Sequence, residues 1–329
     1  MVQQDLEGAN GKNIKAEKKG LTKHLQRAKN EKNDDFYTLL SDIEKELKHY
    51  KKHFKNKVVF CNCDDPRVSD FFHYFSYNFK QLGLKKLITT CYKNQNMELF
   101  SDQKSEKAIY LEYKGSKDEN GVPNLTEIGI KHLKGDGDFR SQECIELLKQ
   151  SDIVITNPPF SLFREYVGQL TEYNKKFLII GNINALSYKE IFKSIKENKI
   201  WLGYNCVRHF KKPDGSMYET ARSFWYTNLD IEKRHEELIL SKTYRGHEAE
   251  YQKYDNYDAI NVDKAIDIPS DYNGTIGIPI TFMDKYNPDQ FEIIGQMVTT
   301  KIDEFNHGYP YINGKKIYAR ILIKIRKLK

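Results

Sequence analysis

The clearest chemistry in this chain sits in four consecutive residues, Asn157, Pro158, Pro159 and Phe160, directly behind the apolar run Ile153-Val154-Ile155-Thr156. Asparagine offers a side-chain carbonyl. The proline after it offers a backbone carbonyl whose direction the double proline fixes. Phenylalanine offers a flat apolar face on which a ring can stack. Together these suit one task, the holding of a planar exocyclic amine. The lone pair of such an amine is delocalised into its ring, so it is a poor nucleophile. Its protons are too weakly acidic for a side chain to remove. Acceptors placed around the NH2 favour a more tetrahedral nitrogen as an alkyl group approaches. That chemistry requires no metal, covalent nucleophile or general base. A strand-ending turn is the plainer use of the same residues. However, an Asp, Asn or Ser followed by two prolines and an aromatic residue arises by chance in a chain this long only about once in a hundred.

Hydrophobic patterning defines the elements that must position this tetrapeptide. Residues 57–60, 86–90, 152–156 and 176–181 are short apolar runs of the kind buried on both faces of a sheet. Helical spacing links Phe36, Leu39, Leu40, Ile43, Leu47, Tyr50 and Phe54, and further helices are predicted over 68–79, 144–148, 163–170 and 188–198. Residues 200–202 and 224–227 complete the strands, whereas 93–130 read as polar and unpatterned, broken by Gly115, Gly121 and Pro123. Alternation of strands and helices predicts an α/β fold with a mostly parallel sheet and helices on both faces. In such sheets ligands bind beyond the carboxyl ends of the strands. Residues 61–66, Cys91, 157–160 and 181–184 then share one rim.

Three regions follow. Residues 1–33, rich in Lys, Asn and Gly, read as a flexible basic arm. Residues 34–228 carry the α/β pattern, and 229–329 lose it. The last segment, IYARILIKIRKLK, has a strand pattern whose outward positions are basic. Composition bounds the function: 329 residues, 39% hydrophobic and 30% charged, with Lys+Arg 53 against Asp+Glu 46 and a net charge of +7. The modest basic excess permits nucleic acid as a partner. No apolar stretch is long enough to span a membrane, and no apolar leader follows the N-terminus. Five cysteines without a C-x-x-C pair argue for reduced thiols in a cytoplasmic protein and against a zinc site, so no metal is expected.

Beyond the tetrapeptide, the chain resembles the EcoRI-type adenine-specific DNA methyltransferases, amino-methyltransferases with a Rossmann-like fold that use S-adenosyl-L-methionine. The likeness is carried by DDFYT (residues 34–38), CNCDDPRVSDFF (61–72), GDGDFRS (135–141), SDIVITNPPFSLF (151–163), FLIIGNIN (177–184) and YDNYDAINVDK (254–264). The resemblance implies that Asn157, Pro158, Pro159 and Phe160 are catalytic. It places Cys61, Asn62, Asp64, Asp65 and Pro66 at the methionine part of the cofactor, although the glycine-rich signature common there is missing. Asp64-Asp65-Pro66 would serve equally as a helix cap. Asp136 or Asp138, beside Phe139, would accept the cofactor's adenine amine, unless Gly-Asp turns are their whole role. Phe36, Tyr37 and Thr38 would close over the cofactor, with Thr38 on its carboxylate, although Phe36 suits a core equally.

The same resemblance implies duplex DNA as the partner, a monomer, and residues 229–329 as target-recognition region. Arg208, His209, Lys211 and Lys212, read as a basic loop, would contact phosphates, and Tyr244 and Arg245 would join them. The adenine would flip out of the duplex to stack on Phe160, with Phe224 or Trp225 on its other side unless both are core. GAATTC is a natural first guess for the target, with a cognate restriction endonuclease left open as a second partner. Rival readings are an RNA-base or protein-glutamine amino-methyltransferase with the same pocket, or a non-catalytic nucleic-acid binder.

Overall fold

The apolar runs form the centre of a nine-stranded sheet. In chain order its strands are β1 (Tyr37–Thr38), β2 (Val58–Asn62), β3 (Lys86–Thr90), β4 (Ile109–Tyr113), β5 (Lys131–His132), β6 (Ile153–Thr156), β7 (Lys176–Asn182), β8 (Trp201–Lys211) and β9 (Met217–Thr227). Their spatial order is β1-β8-β9-β7-β6-β2-β3-β4-β5. This computed structural model describes residues 37–63, 65–92, 108–115, 129–212 and 215–326. The basic arm, Phe36 and Asp64 lie outside the described residues.

Only the centre is parallel: β3-β2-β6-β7 run together, and every other pairing is antiparallel. The parallel strands are the ones buried on both faces, and their residues alternate between two hydrophobic clusters. Val59, Cys61, Ile155 and Ile180 join Phe71 and Phe75 on one side. Phe60, Val154 and Ile179 join Phe163 and Tyr166 on the other. Each fully buried side chain of this kind contributes about 1.5–3 kcal/mol. Helices α1 (Leu40–Leu47), α2 (Lys51–Phe54), α3 (Asp70–Tyr77), α4 (Phe79–Leu82), α5 (Gln142–Gln150), α6 (Phe163–Glu172) and α7 (Lys189–Lys196) supply the covering layers. Ser69 caps α3, accepting from Phe71 N at 3.2 Å. The alternative capping role of Asp65 is met on the turn before α3, where its Oδ1 accepts from Arg67 N at 2.9 Å.

The sequence hides one strand whole and most of a hairpin in this part of the sheet. β4, Ile109–Tyr113, lies inside the stretch read as unpatterned. The basic segment 208–211 is no loop: β8 and β9 form a hairpin of two 11-residue strands, with the turn beginning after Lys211. Arg208, His209 and Lys211 are thus exposed strand residues.

Residues 229–326 build a second sheet from β10 (Ala259–Asn261), β11 (Thr275–Pro279), β12 (Phe291–Met297) and, after the small hairpin β13 (Tyr311–Ile312) and β14 (Lys315–Lys316), β15 (Arg320–Ile325), in the order β10-β11-β15-β12. Ile276, Ile278, Phe291, Ile321 and Ile323 lie in the same cluster as Phe192 and Ile195 of α7 and Leu202 of β8. The basic alternation expected of β15 fails at its first residue. Arg320 is buried, donating to Asp263 Oδ1 (2.6 Å) and Asn261 Oδ1 (3.1 Å). A buried guanidinium is tolerated because these acceptors replace water.

Candidate active site

The parallel order changes direction between β2 and β6: β3 lies to one side of β2, and β6 and β7 to the other. Loops leaving the carboxyl ends of strands diverge at such a point and open a crevice. The β2 loop (from Asn62) and the tetrapeptide after β6 are the two loops that diverge here. One side-chain network ties the strand ends together. Asn62 Oδ1 accepts from Thr90 Oγ1 at 2.9 Å, and the Asn62 carbonyl accepts from the Thr156 hydroxyl. The asparagine expected at the cofactor is thus also the knot joining β2, β3 and β6.

Asn157 and Phe160 are half-buried and Pro158 is buried; the Asn157 side-chain oxygen is shielded from solvent. Phe160 opens a short 3-10 turn, Phe160–Leu162, that leads into α6. Its ring meets the Phe210 ring edge-on, with centroids 6.0 Å apart. Phe210 faces inward from β8 between the exposed cations on either side of it, and Thr38 of β1 pairs with it in register. The hairpin therefore brings Thr38, Phe210 and Phe160 into one neighbourhood from three distant parts of the chain. Phe224 and Trp225, the other aromatic candidates, are buried in the core, and the edge of Phe71 meets Trp225. They are packing residues.

β1 is fixed against the β2 loop. Leu40 N donates to Asp70 Oδ2 at 3.0 Å, which ties the segment after β1 to the start of α3. Thr38 is buried, and its hydroxyl has no partner among the described residues. A buried hydroxyl of this kind fits a carboxylate-bearing ligand. In the β2 loop, Cys63 takes the left-handed conformation with φ 68°, which a glycine adopts without strain. The loop thus keeps the backbone shape of a glycine turn without the glycine. Cys61 is wholly buried in the core and Pro66 is buried as well. Asp65 accepts from Arg67 Nε (2.9 and 3.1 Å) and Nη2 (2.6 Å), and from Arg67 N (2.9 Å). Its carboxylate is committed to arginine.

The GDGD loop reaches the same rim. Gly137, with φ 80°, packs so closely on the Cys91 carbonyl after β3 that a Cβ there would overlap it. Asp136 is exposed, and its Oδ1 accepts from Asp138 N at 3.0 Å. Asp138 is half-buried and forked to Arg140 (2.9 and 2.7 Å), which holds its carboxyl below the usual range. Phe139 is core: its ring meets Tyr166 edge-on at 4.9 Å. The Leu40–Asp70 bond thus ties the segment after β1 to α3, Gly137 ties the GDGD loop to the end of β3, and Phe160 is linked to Thr38 through Phe210. Tyr244 and Arg245 are elsewhere. Their backbone N–H groups donate to Asp271, and the Tyr244 ring packs on Tyr272 with centroids 4.5 Å apart.

Three contributors escaped sequence reasoning. Phe210 was read as part of a basic run. Arg67 drew no notice between Pro66 and Val68. Glu46 lies on the apolar stripe of α1, and is wholly buried. It accepts from Tyr50 OH (2.9 Å), Tyr204 N, Asn205 N and Asn205 Nδ2 (each 2.8 Å). Tyr204 and Asn205 occupy the register break of β8 between Leu202 and Cys206, so the carboxylate satisfies backbone donors that the ladder leaves open. The signal was available: a carboxylate three residues after Ile43 and four before Tyr50, on a face otherwise apolar.

Among the described residues, no helix is long and apolar enough to cross a membrane. No solved structure matches the chain significantly. Type II methyltransferase M.EcoRI from Escherichia coli is 50% identical over 325 residues, covering 93% of this chain and 97% of that protein. Type II methyltransferase M.MgeORF184P from Mycoplasma genitalium is 38% identical, covering 93% and 99%. Type II methyltransferase M.MpnI from Mycoplasma pneumoniae is 36% identical, covering 92% and 98%. The family described as adenine-specific methyltransferase EcoRI matches residues 24–224 and 206–326. The chain therefore belongs to the EcoRI family of adenine-specific methyltransferases.

Proposed function

We propose that this enzyme transfers the methyl group of S-adenosyl-L-methionine to the N6 amine of an adenine flipped out of duplex DNA, as the modifying half of a restriction-modification pair. One observation carries the assignment of the site: the tetrapeptide follows β6 at the switch point, and its Phe160 meets Phe210, the register partner of Thr38 with its buried hydroxyl. Asn157 Oδ1 and the Pro158 carbonyl accept the two N6 hydrogens, and Phe160 holds the ring by stacking. As the methyl group arrives the nitrogen becomes more tetrahedral, and the two acceptors stabilise the charge that develops on its hydrogens. The proton leaves after transfer, so no strong base is needed. Thr38, the β2 loop and the Asp136–Asp138 segment hold the donor, which supplies an activated methyl on a sulfonium.

Residues 229–329 serve as target-recognition region, and the β8–β9 hairpin presents Arg208, His209, Lys211 and Lys212 to the phosphates. Exposure of the first three on one projecting hairpin supports this. Tyr244 contributes less, because its ring is engaged with Tyr272; Arg245 remains exposed. GAATTC is the first target to test, by analogy with the E. coli relative's name. Incubation with methyl-labelled donor and, in parallel, plasmid DNA, total RNA and protein tests the assignment. Label in DNA alone, on adenine, is expected; label in RNA or on glutamine refutes it.

A further inference from the structure

We propose that Arg67 binds the carboxylate at the amino-acid end of the methyl donor, an inference that rests on the donor reading above. Asp65 and Arg67 form a forked pair in which Asp65, itself 8% exposed, holds Nε and Nη2 and also caps the Arg67 backbone N–H. The plane of the guanidinium is thereby set before any ligand arrives. Nη1 has no partner among the described residues, and the side chain keeps 34% of its exposure. Arg67 thus keeps about a third of its side-chain surface open, with Nη1 not taken by Asp65.

Arg67 belongs to the loop after β2, a strand whose last residue, Asn62, is the register partner of Thr90, one residue before Cys91, and both Cys91 and Tyr37 of β1 lie within electrostatic range of its charge. β1 is tied to the start of α3 by the Leu40–Asp70 bond, and the GDGD loop is pressed on Cys91 through Gly137. A planar, always-charged fork suits a carboxylate better than any other side chain. Thr38, which follows Tyr37 on β1, carries a buried hydroxyl. Asp65 reaches the donor through Arg67 rather than by direct contact. An exposed arginine must give up rotamer freedom to bind a carboxylate. Here Asp65 has already fixed the side chain, which lowers the cost of binding.

Calorimetry on the full chain with two ligands tests this. S-adenosylhomocysteine carries the carboxylate; 5′-methylthioadenosine keeps the nucleoside and sulfur but lacks the amino-acid end. Arg67→Ala is expected to weaken S-adenosylhomocysteine about ten- to a hundredfold, the range for a lost charge-assisted bond, and to leave 5′-methylthioadenosine within about twofold. Arg67→Lys should recover part of the loss, and it provides a second variant should Arg67→Ala fail to fold. Unchanged S-adenosylhomocysteine affinity, or equal losses for both ligands, overturns the proposal, since a residue that only shapes the loop cannot tell the two apart. A wild-type chain that binds neither ligand overturns the donor reading and the role of Arg67 with it.

Discussion

Replacing Glu46 by glutamine exchanges one carboxylate oxygen for an NH2 and reverses the hydrogen-bonding logic of the β8 register break there. Oε1 receives Tyr50 OH and Tyr204 N; Oε2 receives Asn205 N and Nδ2. Four donors on two oxygens leave no room for an amide NH2. Whichever way the glutamine turns, its NH2 faces one backbone N–H that can only donate, so at least one of these buried hydrogen bonds is lost, and its neighbour survives only if Tyr50 OH or the Asn205 amide turns round to accept. Each is charge-assisted and worth about 1.5–3 kcal/mol. Against this, burial pushes the Glu46 carboxyl up, which means that its ionisation costs the fold something. Glutamine escapes that cost. The net is a loss of about 2–4 kcal/mol, because the stranded N–H has no water to turn to. For a protein of this size the midpoint of thermal unfolding should fall by about 3–6 °C. Glu46→Ala, which strands all four donors and leaves a cavity, should fall further. Calorimetric melts of the three proteins decide the matter. A Glu46→Gln midpoint within about one degree of wild type would show that the break in β8 is held by something else.

Gly137→Ala forces a Cβ into the Cys91 carbonyl and against Ala108 Cβ (2.9 Å) at φ 80°. It should cost about 2–4 kcal/mol and weaken donor binding, read by melting and calorimetry; unchanged values would mean that the GDGD loop is free to shift. His49 stacks on Tyr204 with ring centroids 3.8 Å apart, and burial together with Lys48 and Lys233 lowers its pKa. A lowered histidine pKa favours the neutral ring in the fold, so the unfolded chain binds more protons below the usual value of 6.5. Stability should therefore fall as pH drops through 6.5 toward the depressed value. In His49→Phe, which keeps the stack, the decline should be smaller in melts across that window. An unchanged slope would move the effect to other groups, His307 first, whose pKa burial and Lys196 also lower.

The central strands were legible because burial on both faces leaves a continuous apolar run, as in β6 and β7. The antiparallel margins were not. β4 alternates over only five residues inside a polar stretch, and β8 breaks register twice, which scrambles the period of two that would have marked it. The tetrapeptide could be read because its chemistry is local. Its neighbourhood could not: Thr38 and Phe210 pair across 172 positions, and no sequence pattern announces a contact at that distance. Arg320 was misread for a similar reason. Alternation predicts which side of a strand a residue takes, but Asp263 and Asn261 make the inner side acceptable to a cation.

The central claim is that Asn157 grips the adenine rather than the donor. DNA from cells expressing the wild type or Asn157→Ala, digested and sequenced for modified bases, tests it most directly when paired with calorimetric donor binding of both purified proteins. The account predicts N6-methyladenine at a single short sequence with wild type, none with Asn157→Ala, and donor affinities within about threefold of each other. Wild-type levels of N6-methyladenine in the variant would contradict it.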